Sequence, residues 1–223
     1  MRDNERRKLD KFERELAFMI DNAPDFTAST PGAIATAEHT AIVAEMRALF
    51  AQQVSEGAEA AQAYSNKEDA FDDLISRVRN MNRAANAFED EVPGSDELFR
   101  MPRPQTQQNV LASARAYHSD SVPPLQIKFV EYGLAATFRD DLQDSIDAYE
   151  AASSAADTSE IQKAAATAGL IDAGRRGTAN SKKLNAIIRI KYDNNPQKLG
   201  AWTVASHLER APKSNTPATP PTP

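Results

Sequence analysis

The chain has 223 residues, no cysteine, and 32 acidic against 26 basic side chains, a formal charge of −6. Without cysteine it can form no disulfide, thiolate metal site or cysteine nucleophile, and it lacks the overall basic excess of a nucleic-acid binder. Eight glycines are few for strands and tight turns, and the 13 prolines gather at segment ends and in the tail, so the expected class is all-α.

The first helix is expected over residues 4–22. Leu9, Phe12, Leu16, Met19 and Ala23 recur in steps of three and four and form one apolar stripe, with charge filling the other side. Pro24 closes this helix, and a loop completes the segment 1–30. The run from Met1 to Lys8 is charged and leads into no apolar stretch, so no signal peptide is expected. No segment nears the roughly 18 apolar residues of a membrane span, and the expected location is the cytoplasm.

A second helix is expected from Pro31 to about Tyr64, with Ile42, Met46 and Leu49 inward. Ser65-Asn66-Lys67-Glu68 has the form of a capping box, which predicts a fresh helix start. The third helix, over 66–91, carries the cleanest heptad seam in Phe71, Leu74, Val78, Met81, Ala85 and Phe88. Such a seam is the packing face of a left-handed bundle. These two helices make a first hairpin unit over 31–104.

Residues 105–123 read as a proline-containing connector with a short helix over 107–118. A fourth helix is expected from Pro124 to about Ser153, its inner face Leu134, Phe138, Leu142, Ile146 and Tyr149. Asp157-Thr158-Ser159-Glu160 offers a second capping box, and a fifth helix follows over 158–194. Within it, Gly174–Asn180 reads either as a loop or as a weakened stretch of helix. A last short helix over 196–209 carries Trp202 and Leu208. The second unit thus covers 124–211, and the Pro/Thr-rich tail 212–223 is expected to be disordered.

The halves echo each other. Phe88 to Pro93 and Tyr192 to Pro196 each join an aromatic residue and acids to a proline, and each is followed by Arg-x-Pro, at Arg100–Pro102 and Arg210–Pro212. The expected architecture is an antiparallel bundle of two pseudo-repeated long helical hairpins with short flanking helices.

Reactive constellations are sparse. None of His39, His118 and His207 has glutamate three residues before it, so the Glu-x-x-His step of a di-iron bundle is missing, and no metal or cofactor is expected. His39 reads as a surface or cap residue. Ser206, His207 and Glu209 are too close in sequence for a triad, because adjacent helical side chains point about 100° apart. Trp202, His207 and Arg210 read instead as a structural anchor for the last helix.

The charge is unevenly spread. Residues 161–223 hold ten Lys/Arg against three Asp/Glu, a net of +7, and residues 1–160 hold sixteen against twenty-nine, a net of −13. The basic part centres on Arg175, Arg176, Lys182, Lys183 and Arg189, and Arg175, Lys182 and Arg189 recur every seven residues on one helical face. The expected function is that of a non-enzymatic bundle acting through protein–protein contacts, as scaffold or self-assembling component, with a protein or another copy as partner. The alternative is an anion- or nucleic-acid-binding accessory protein using the basic row at 175–191. Nucleic acid is the less favoured partner, and no membrane contact is expected.

Overall fold

The computed structural model describes residues 2–209, which are helical with no strand among them. In chain order the α-helices are α1 (Arg2–Asp21), α2 (Pro31–Ala87), α3 (Ser95–Leu98), α4 (Gln107–Asp120), α5 (Leu125–Glu131), α6 (Phe138–Lys191) and α7 (Pro196–Ala205). The fold class is all-α, a helical bundle, as the periodicity predicts. The Pro/Thr tail and Arg210 lie outside the described residues. The chain divides into two compact units, one built from residues up to Ser55 together with those from Ala164 on, the other from Glu56 to Lys163.

The expected helix breaks at Ser65 and Asp157 are absent, because α2 and α6 run through both positions. A capping box satisfies free amides only where a helix begins; inside one, the same four residues are simply exposed or half-buried surface. What continues α2 is a buried stripe of small residues. Ala60 and Ala63 are 2% and 9% exposed and lead on to Leu74, Val78 and Met81 in steps near the helical period. Ala156 and Ala166 do the same in α6, ahead of Leu170 and Ala173. Alanine is the best helix former and lets helices approach closely, so it carries a seam that a search for large apolar residues does not see. Gly174–Asn180 is accordingly part of one helix.

A break occurs instead ahead of α6, inside the expected fourth helix. Gly133 adopts φ +98, its amide bonds Val130 O at 3.1 Å, and the Leu134 amide reaches back to Phe129 O at 3.0 Å. This is the Schellman closure that a left-handed glycine permits. It ends α5 and leaves Leu134 in the connecting turn.

In the Glu56–Lys163 unit the α2 and α6 segments run antiparallel. Phe71 meets Tyr149 with ring centroids 5.8 Å apart, Ser145 Oγ donates to Asp73 at 2.5 Å, and Arg77 lies 3.8 Å from Asp141. The core joins Leu74, Val78, Met81 and Phe88 of this α2 segment and its end to Phe99, Val110, Ala114, Tyr117, Phe129, Phe138, Leu142 and Ile146. Phe129 anchors α5 at its centre, 4.8 Å from Phe99 and 5.1 Å from Phe88. The short α3 is held by Glu89, whose carboxylate accepts from the Gly94 and Asp96 amides at 2.8 and 2.9 Å and from Ser95 Oγ at 2.9 Å.

In the other unit the register is also antiparallel. Glu38 pairs with Lys183, Glu45 with Arg176, and Gln53 with Thr167. Helix α1 lies across this pair and α7 closes it. Phe12, Ile42, Val43, Met46 and Ala173 form one cluster; Phe18, Met19, Ala35, Leu184, Ile188, Tyr192 and Trp202 form the other.

Candidate functional site: a basic groove between α1 and α6

Two glycines decide where α1 crosses α6. A methyl group added at Gly177 would overlap the Phe12 ring, and one at Gly174 would overlap the Glu5 carboxylate. The absent side chains let α1 sit close against α6, the packing use of small residues at a helix crossing. The Gly174-Arg175-Arg176-Gly177 motif is therefore a seat for α1.

Close seating buries polar groups on α1. Glu15 falls on the stripe between Phe12 and Met19 and is fully buried, and His39 of α2 is fully buried opposite it. His39 is thus a core residue, and its reading as a surface or cap residue is corrected. The edge of its ring meets Phe12, with centroids 5.3 Å apart. Glu15 Oε1 accepts from Ser181 Oγ at 2.5 Å and lies 3.3 Å from Lys11 Nζ, while Oε2 lies 3.3 Å from His39 Nε2. His39 Nε2 is also 3.2 Å from Phe12 O, and its Nδ1 faces the Asn180 amide nitrogen at 3.4 Å, which donates to Ala35 O at 2.7 Å. Acceptors surround Nε2 and a donor faces Nδ1, so the ring proton sits on Nε2. Held at Oε1 by Ser181 and Lys11, with Oε2 making no hydrogen bond among the described residues, the buried carboxylate joins three helices. Glutamate at the centre of an apolar 12–15–19 series was the only sign of it in the sequence.

The outer side of the same crossing is a groove of about 560 Å³ lined by Lys8, Ile171, Arg175, Thr178, Ala179 and Lys182. Its floor is apolar, from Ile171, Ala179 and the Thr178 methyl, since the Thr178 hydroxyl donates inward to Gly174 O at 2.8 Å. Its cations come from both helices. Lys8 holds Glu5 at 2.8 Å and Arg175 holds Asp172 at 2.8 Å, each an i,i+3 pair. Lys182 makes no hydrogen bond or ion pair among the described residues. Among the described residues no carboxylate lines the groove.

The other predicted cations lie elsewhere. Arg176 bridges Glu45 at 2.5 Å and Asp172 at 2.9 Å, and these partners raise its pKa further above the ordinary guanidinium value. Arg175, then Arg176, hold the Asp172 carboxyl below its usual range. Lys183 pairs with Glu38 at 3.2 Å, and Arg189 bonds Asn185 at 3.2 Å. Of the five basic residues singled out in the sequence, then, Arg175 and Lys182 share the groove. Lys8 joins them from a charged run that carried no site motif; its position one turn before Phe12 was the available signal.

Trp202 of α7 is 1% exposed, donates from Nε1 to Asn185 Oδ1 at 3.0 Å and packs on Phe18 with centroids 5.3 Å apart. His207 is exposed and contributes its carbonyl, which accepts from Arg14 Nη2 at 2.6 Å. Arg210 lies outside the described residues.

The second unit holds a cleft of about 460 Å³ whose lining includes Arg77, Met81, Arg83, Leu134, Phe138 and Asp141. Arg77 is occupied there by Asp73 at 2.9 Å and Asp141 at 3.8 Å. Among the described residues no group of three or more His, Asp or Glu side chains is placed to hold a metal ion, and no helix is long and apolar enough to cross a membrane. No family model, no curated protein and no solved structure matches the chain.

Proposed function

We propose that this chain is a non-enzymatic helical-bundle protein that acts through protein–protein contacts, with another copy of itself as the first partner. The observation that carries the reading is the outer face of α5. Ile127 and Val130 lie three residues apart on α5 and are exposed at 57% and 39%, and Val122, ahead of the helix, is exposed at 46%. On the opposite side Phe129 is fully buried. The apolar face is thus held on a rigid support, and contiguous exposed apolar surface of this kind marks a contact site. Lys128, paired at 2.7 Å with both Glu91 and Glu131, supplies a polar rim.

Counted by compact unit, residues 1–55 with 164–223 hold sixteen Lys/Arg against twelve Asp/Glu, a net of +4, and residues 56–163 hold ten against twenty, a net of −10, a division that supports association between copies. Such association weakens as salt screens it. Sedimentation at low and high salt tests the reading. The expected result is a reversible oligomer, strongest at low salt, that Ile127→Asp with Val130→Asp returns to a monomer without loss of helical circular dichroism. A wild-type chain that stays monomeric in both conditions overturns self-assembly. Cytoplasmic residence belongs to the same reading, and recovery of the chain only outside the cytosolic fraction refutes that part.

A further inference from the structure

We propose that the groove between α1 and α6 binds a small organic phosphate, its anionic group held by Lys8, Arg175 and Lys182 and its apolar body laid on Ile171 and Ala179. The site belongs to a different compact unit from α5 and does not depend on the reading above.

Three observations lead to this class of ligand. The first is charge. The groove gathers three cations and no carboxylate in its lining, and Lys182 has no partner of its own among the described residues. Glu5 and Asp172 offset Lys8 and Arg175, so the unpaired Lys182 leaves a positive charge that an anion neutralises. The second is availability. Arg175 has a side chain 79% exposed and is held only by an i,i+3 pair, and the Lys8–Glu5 contact is another such pair. The exposed Arg175–Asp172 pair contributes little stability, so Arg175 turns toward a better acceptor at small cost, while Lys8 stays on the buried Glu5 and offers its remaining N–H groups to the groove. An arginine flanked by two lysines suits phosphate oxygens, with the guanidinium bonding two of them at once.

The third is the floor. Thr178 directs its hydroxyl at Gly174 O, leaving its methyl beside Ile171 and Ala179. Ile171 is 39% exposed, an apolar residue next to cations. An inorganic ion would leave this strip wet, whereas the hydrocarbon or aromatic part of a phosphate ester covers it. The pattern also separates the site from a general basic surface. Lys183 and Arg189, equally basic in sequence, are engaged elsewhere by Glu38 and Asn185.

The test is a nuclear magnetic resonance titration of the full chain with phenyl phosphate, with inorganic phosphate and phenol as comparison probes. Phenyl phosphate should give saturable shifts at the amides of Thr178, Ala179 and Lys182, inorganic phosphate should bind the same amides more weakly, and phenol should leave them unmoved. Lys182→Gln and Arg175→Gln should each weaken phenyl phosphate about tenfold, the loss of one charge-assisted contact. Lys183→Gln and Arg189→Gln should leave its affinity unchanged. Failure of the shifts to saturate, or equal weakening by all four substitutions, overturns the site. So does tighter binding of a single-stranded oligonucleotide whose salt dependence draws on Lys183 and Arg189, since that describes a nucleic-acid face.

Discussion

Gly177 and Gly174 look alike in sequence and meet different neighbours. A methyl group at Gly177 strikes the fully buried Phe12 ring, whereas at Gly174 it strikes the carboxylate end of Glu5, the far end of a side chain with several rotatable bonds. Overpacking a core contact costs about 1–3 kcal/mol. Gly177→Ala is therefore expected to destabilise by that amount in urea unfolding and Gly174→Ala by clearly less; equal costs would contradict the crossing geometry. Glu89 illustrates a second kind of position. The Gly94 amide, then that of Asp96, hold its carboxyl at about 2, below the ordinary 4.5. A carboxyl with a lower pKa in the folded state stabilises fully above about 4.5, and that contribution is lost as the pH falls toward 2. Glu89→Gln is expected to be less stable than wild type at neutral pH and to converge on it near pH 2. A gap between the two that persists unchanged in acid refutes the capping role.

Among the helices, continuity was the least legible property. Ser65-Asn66-Lys67-Glu68 has the composition of a helix start, and local chemistry favours one there. The buried seam through Ala60 and Ala63 to Leu74 outweighs it, because stopping α2 would expose that face. The two possibilities have opposite signs under substitution. Serine at an N-cap is worth about 1 kcal/mol over alanine, whereas serine inside an exposed stretch of helix is a few tenths worse than alanine. Since Ser65 is exposed within α2, Ser65→Ala should raise stability slightly. A loss near the N-cap value would mean that the helix starts there. The short helices behave differently. α5 ends at Gly133, a left-handed position, and α7 begins after Asn195, whose side chain accepts from the Lys198 amide. Both are terminal signals that a sequence displays openly, although the apolar stripe on either side of Gly133 masks the stop there.

The two compact units differ in how the chain builds them. The Glu56–Lys163 unit is one continuous stretch whose core residues all fall within it. The other unit needs segments from both sides of that stretch, with α1 supplying Phe12, Phe18 and Met19. A fragment spanning 56–163 is accordingly expected to give a helical spectrum and a cooperative thermal transition alone. Removal of residues 1–21 should abolish the transition of the discontinuous unit and spare that of the other. A fragment 56–163 that melts without cooperativity would show that its core is insufficient. Apolar periodicity at 3.6 residues, scarce glycine and terminal prolines were enough to establish an all-α bundle and most of its buried large residues, because those are local properties of a chain facing water on one side. The same patterns gave no view of α1 lying on α6, of Glu15 and His39 meeting in the interior, or of Lys8 standing beside Arg175 and Lys182. Those contacts join residues on different helices, most of them more than a hundred positions apart, and such pairings are set when helices pack against each other, not when they form.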